Sequence, residues 1–166
     1  MYKSIEDFII DWNEEASNTI KVFGSINDDL INKKVNKNVR SLGRIAWHIT
    51  QTLTEMPSKA KIIPEDILEH KQIPESFKTL IEIYTKHSDK LVSLIKKNWK
   101  DSELEGIIEL YNQKWKRNKV LSILIKHQIH HRAQMTVIMR LLNIEIPGIY
   151  GPTKEEWTKF GMKPHE

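Results

Sequence analysis

The sequence predicts an all-α protein: a four-helix bundle with a short extra helical segment near the C-terminus. Three observations carry that expectation. Apolar residues recur at three- and four-residue spacing through four long stretches, as in helices that bury one face. Ser, Gly and Pro punctuate those stretches at positions suited to helix ends. No convincing strand alternation competes with them. Four amphipathic helices in 166 residues bury their faces most simply around one shared core. With no internal repeat, low-complexity segment or linker, residues 1–166 read as a single domain.

The first helix opens at Ser4, a plausible N-cap, and runs to about Phe23, with Ile5, Phe8, Ile9, Trp12, Ala16, Ile20 and Phe23 on one stripe and Gly24 at its end. The polar stretch from Asn27 to Arg40 has little periodicity and reads as a long connection with room for one helical turn. The second helix starts at Ser41 and runs to roughly Met56, on the stripe Leu42, Ile45, Ala46, Ile49, Leu53 and Met56; Pro57 and Pro64 mark the loop beyond. Pro74 suits the first turn of a third helix and Glu75 favours the positive end of its dipole. That helix is expected from about Pro74 to Trp99, with Phe77, Leu80, Ile81, Tyr84, Leu91, Leu94 and Ile95 on one side. A charged loop leads to a fourth helix from about Asn118 to Leu142. Turns at Pro147-Gly148 and Gly151-Pro152 precede the short segment from Thr153 to Phe160.

Composition bounds the chemistry. At 39% hydrophobic and 29% charged residues, the chain has the balance of a soluble globular protein. Its first residues carry acids early and do not read as a signal peptide. Apolar runs such as Ile123 to Ile125 fall far short of the ~20 residues that cross a bilayer, so a cytoplasmic protein with no membrane partner is expected. The absence of cysteine excludes disulfides, thiolate ligands and a protein thiol nucleophile. Any metal must then be held by His, Asp, Glu or water, and any thiol must arrive with a substrate. A net charge of +4 with lysine patches invites a nucleic-acid partner. No binding motif accompanies the charge, and acids such as Glu103, Glu105 and Glu109 lie near the basic runs, so nucleic acid is disfavoured.

The histidines are the informative feature. His127, His130 and His131 fall within the otherwise apolar fourth helix. At ~100° per residue, His131 lies in the sector of Val120, Leu124, Met135, Ile138 and Leu142; His127 is about 40° from it on the same side, and His130 about 100° away. His127 and His131 are therefore the expected inward pair, one helical turn apart and close enough to share an ion. A pair of core histidines hydrogen-bonded to neighbouring groups is the competing reading. His48, on the second helix, is the candidate third ligand. It sits at the edge of the apolar stripe, which fits a ligand at a cleft rim and equally an exposed histidine. His70, His87 and His165 have polar or charged neighbours and weaker claims. Three imidazoles would leave a coordination position for water or substrate.

The segment Ser41-Leu42-Gly43-Arg44-Ile45-Ala46-Trp47-His48-Ile49, the later run His127-Gln128-Ile129-His130-His131-Arg132-Ala133-Gln134, and the tail Ile146-Pro147-Gly148-Ile149-Tyr150-Gly151-Pro152 together resemble the DinB-like (YfiT-related) family of small bacterial proteins. The resemblance implies a four-helix bundle whose metal site is made by one histidine of the second helix and two of the last, here His48, His127 and His131. It also implies a homodimer carrying a divalent transition metal, zinc or nickel. Characterised relatives include transferases and isomerases that use low-molecular-weight thiols such as bacillithiol or mycothiol. Ala133 stands where the family often has glycine in its His-Arg-Gly-Gln run; alanine favours a helix interior, so the fold is expected to be kept. Arg132 and Gln134 either orient ligands or serve packing, and His130 is a second layer or dimer-surface group.

Two functional readings follow. One is a metal-dependent enzyme that transfers or hydrolyses a small molecule with a metal-activated thiol or water, with Glu55 as a candidate base and Tyr150 as a candidate substrate contact. The other is a non-catalytic, stress-associated metal-binding protein. Ordinary imidazole pKa values place the loss of metal affinity near pH 6.

Overall fold

The computed structural model describes residues 1–164. Four long helices form the body: α1 (Ile5–Phe23), α2 (Leu42–Lys59), α3 (Phe77–Asn98) and α4 (Arg117–Leu141), with a short α5 (Lys154–Lys159) in the tail. The expected caps hold the first two. Ser4 accepts from the Asp7 N–H and Ser41 from the Arg44 N–H, each satisfying one of the N–H groups that a helix start leaves bare.

α1 and α2 each pack against both α3 and α4. The apolar stripes meet in one continuous core that includes Phe8, Trp12, Phe23, Trp47, Leu53, Tyr84 and Leu80. The amphiphilic members of that core have partners for their polar atoms. Trp12 Nε1 donates to Ser88 Oγ at 2.9 Å, joining α1 to α3, and Trp47 Nε1 donates to the Lys71 carbonyl at 3.2 Å. The arrangement matters for function because it makes α2 and α4 neighbours along their length.

Three boundaries differ from the sequence reading. α2 continues through Pro57 to Lys59: the proline stands in the last turn, where its missing N–H costs a single bond rather than a ladder of them. α3 begins at Phe77, not Pro74. Ser76 caps it by accepting from the Thr79 N–H, and Asp28, in a 3-10 turn at Asp28–Leu30, takes the Phe77 N–H at 2.7 Å. The supposed charged loop before α4 contains an antiparallel hairpin, β1 (Ile107–Leu110) paired with β2 (Gln113–Lys116). Its two-residue turn, Tyr111-Asn112, has both φ angles positive, at 52° and 58°, as the twist of a tight hairpin demands.

The connection between α1 and α2 is anchored rather than loose. The Gly43 N–H donates to the Ile31 carbonyl at 2.8 Å. A Cβ on Gly43 would lie 2.7 Å from that oxygen and collide with the Ile31 side chain, so the close approach requires glycine. This contact fixes the stretch that runs through Val35 and Val39 to Arg40 against the start of α2. No helix among the described residues is long and apolar enough to cross a membrane.

Candidate metal centre

His48 on α2 meets His127 and His131 on α4. One nitrogen from each ring belongs to a set whose members all lie within 4.8 Å of one another. The ring centroids are 4.9 Å apart for His48 and His127, 4.7 Å for His48 and His131, and 4.4 Å for His127 and His131. The i, i+4 spacing on α4 supplies two rings from one helix face, and the α2–α4 contact supplies the third. Two nitrogens bound to one tetrahedral zinc at about 2.0–2.1 Å are about 3.4 Å apart, so small side-chain rotations bring these donors to ligation.

The electrostatics keep these rings neutral. Burial pushes His127 down to about 3, with the neighbouring imidazoles His131 and His48 adding to the effect. Burial also pushes His48 down to about 4, helped by His131 and by the guanidiniums of Arg40 and Arg44. His131 is lowered as well, by burial first, against an opposing hydrogen bond that it donates to Gln134. A neutral imidazole carries the lone pair that a metal needs. The buried Nδ1 of His127 has no hydrogen-bond partner among the described residues. Leaving such an atom bare costs free energy; together with an all-nitrogen set of neutral donors, it fits a transition metal completing the cluster.

A second layer holds His131. Its Nδ1 lies 2.8 Å from Gln134 Oε1; a carbonyl oxygen only accepts, so Nδ1 carries the proton and Nε2 is left as the lone-pair nitrogen. The Gln134 amide in turn donates to His130 Nε2 at 3.1 Å. His130 itself is exposed and outside the three-ring set, as its helical phase indicated.

Behind the histidines, α4 turns a second polar stripe, Gln128 and Arg132, into the core. Gln128 is fully buried. Its Oε1 accepts from Tyr84 Oη at 3.0 Å, and its Nε2 donates to the Ile49 carbonyl, beside His48, at 3.5 Å. Arg132 is buried in an ion pair with Glu15 and donates to the Glu15 carbonyl at 3.0 Å and to Tyr150 Oη at 2.6 Å. Tyr150 Oη donates to Glu15 Oε1 at 2.6 Å. Of the two roles the sequence leaves open for Arg132, orienting ligands or packing, the structure shows packing at the α1–α4 junction. Glu15 and Gln128 carried no signal beyond their position on otherwise apolar faces.

The remaining histidines do not join the three rings, whereas the Glu55 carboxylate lies near enough to His48 to oppose the lowering of that ring. His70 is exposed beside Glu69. His87 is buried on α3, contrary to its polar sequence neighbours, yet it is not one of the three gathered rings. His165 lies outside the described residues. The Glu55 carboxylate is held by Tyr111 Oη at 2.9 and 3.0 Å and by Lys59 Nζ at 2.8 Å. Burial first, and then the Glu15 carboxylate, push the Tyr150 phenol up to about 12, so it remains a protonated donor at neutral pH.

The whole chain, residues 1–166, matches the model of the DinB family. It is 34% identical over 163 residues to "Uncharacterized protein YrdA" of Bacillus subtilis strain 168, a match that covers 98% of each chain. Among solved structures, it is similar to a DinB-like protein from Bacillus cereus ATCC 10987, with a TM-score of 0.80 and 30% identity over 90% of this chain and 100% of the other. The DinB-like protein YjoA of Bacillus subtilis, at a TM-score of 0.69 and 16% identity over 86% and 97% of the two chains, shares the fold.

Proposed function

This chain belongs to the DinB family, and from that premise we propose that it is a divalent-metal-dependent enzyme acting on a small molecule with an activated thiol or water. The observation that carries the reading is the convergence of His48, His127 and His131 from two helices. All three would bind the ion through neutral nitrogens, a donor set that suits zinc or nickel. Bound by three side chains, the ion would keep a position open and supply a Lewis acid for a thiol or water. The protein's own part is to hold the donors deprotonated by burial, and to fix the His131 ring through Gln134. Because the chain has no cysteine, a thiol would enter as a low-molecular-weight co-substrate.

The hold of Tyr111 and Lys59 on Glu55 favours a second reading, a metal-binding protein without turnover, because it occupies the carboxylate first considered as a base. The two are separated by incubating zinc- or nickel-loaded protein with a panel of low-molecular-weight thiols and an electrophilic acceptor, and following free thiol. The enzyme reading predicts protein-dependent thiol consumption that His127→Ala abolishes. Consumption no faster than in protein-free controls across the panel, with metal bound, contradicts the thiol form of that reading.

A further inference from the structure

His131, one ring of the histidine cluster, lines a cavity of about 580 Å³, a volume in the range of small-molecule sites. Its walls come from two parts of the chain. Val35 and Val39 belong to the connection that Gly43 anchors, and Val137 and Leu141 stand on α4 one and two turns beyond Ala133. Val137 and Leu141 are strongly exposed, at 61% and 64%, though they belong to the helix that carries two of the histidines.

The charge at this cavity is as informative as its walls. Among the described residues, Arg40 is the one cation lining it, and no carboxylate pairs with Arg40. Each other arginine beside an acid in this fold is used: Arg117 binds Glu103, Arg132 binds Glu15 and Arg140 binds Glu155. The other polar groups at the wall are the neutral amides of Asn38 and Gln134 and the imidazole of His131. One guanidinium matches one negative charge and offers two parallel N–H donors to a planar carboxylate. The valines and leucine suit an aliphatic body.

Resting on the metal-dependent reading above for its functional meaning, we infer that this cavity binds a monocarboxylate with an apolar body, its carboxylate paired with Arg40 and its chain laid along Val35, Val39, Val137 and Leu141 beside His131. The site thereby selects an amphipathic acid over a neutral or a polyanionic substrate. It also places part of that substrate beside His131.

The test uses octanoate as the probe, with 1-octanol as the same chain without charge and acetate as the same charge without the chain. Binding to the full chain is followed by calorimetry and by amide chemical shifts, on chelator-treated and on metal-loaded protein. Octanoate is expected to bind once per chain, with shifts confined to residues around Arg40 and Val137. Arg40→Gln, at an exposed position, should weaken it by about tenfold or more, and Val137→Asp should do likewise by setting a like charge in the wall. Octanol binding should be indifferent to Arg40→Gln, and acetate should bind far more weakly than octanoate. Binding in the chelator-treated protein keeps this result separate from metal content, which is measured on the same samples. Equal octanoate affinity in wild type and Arg40→Gln overturns the inference, as do acetate binding as well as octanoate and no octanoate binding at all. If Val137→Asp converts a dimer to a monomer and octanoate does not bind, the face is an interface between copies and the inference fails.

Discussion

The imidazoles of this cluster are held neutral by their surroundings. Burial depresses His127 and His48 to about 3 and about 4, so between pH 6.5 and about 4 the unfolded chain binds protons that the folded chain refuses. Stability of the metal-free protein therefore falls as acid is added across that window and is at its full value above it. The same depression moves proton competition with the metal below the pH 6 that ordinary imidazoles imply. Affinity is expected to fall less steeply between pH 7 and pH 5 than three ordinary imidazoles near 6.5 would give; a fall as steep as theirs counts against these environments. Gln134 is the residue that fixes the His131 tautomer. Gln134→Ala should weaken the metal by about 10–100-fold in competition with a chelating indicator, while His130→Ala leaves it within a few-fold. The inward phase of His127 and His131 was legible from α4 alone, because helix geometry ties phase to position. The place of His48 was not: a residue at the edge of a stripe faces a neighbouring helix or solvent according to packing that one helix does not encode.

α4 is the element that unites the protein, since His127 and His131 meet α2, Arg132 meets α1, and Gln128 bonds to Thr19 of α1, Ile49 of α2 and Tyr84 of α3. Offset by one residue, these two i, i+4 pairs make the helix polar on two adjoining buried faces. The Arg132–Glu15 pair is buried on both sides, at 3% and 8% side-chain exposure, so removing one member strands the other. Arg132→Met should cost about 3–5 kcal/mol in urea unfolding, and the double replacement Glu15→Leu with Arg132→Met should cost much less than the sum of the single changes. Equal or additive losses would mean that the pair is solvated in practice. The element hardest to read beforehand was the hairpin. Its strands have four residues each, only Leu110 in them is buried, and its turn uses Tyr111 where glycine or asparagine is the usual signal. The start of α3 was misplaced because Pro74 and Glu75 are good first-turn residues, while the deciding contact, Asp28 on the Phe77 N–H, comes from 49 residues away.

At the scale of the molecule, the bundle was legible because four stripes of buried residues repeat with the helical period, and the observed core contains nearly all of them. What no stripe specifies is which helices are neighbours. The adjacency of α2 and α4 turns three separate histidines into one donor set, and the anchored connection before α2 closes a cavity beside it. The bundle thus supplies the convergence, and the residues around it supply the neutrality and the wall. The decisive measurement is metal per chain, by elemental analysis of the purified protein and of four single alanine variants after identical dialysis. Near one equivalent of zinc or nickel is expected in the wild type and in His130→Ala, falling to a small fraction in His48→Ala, His127→Ala and His131→Ala while circular dichroism shows each still helical. Equal metal content in all five proteins, or none in the wild type after loading with either ion, contradicts the three-histidine centre.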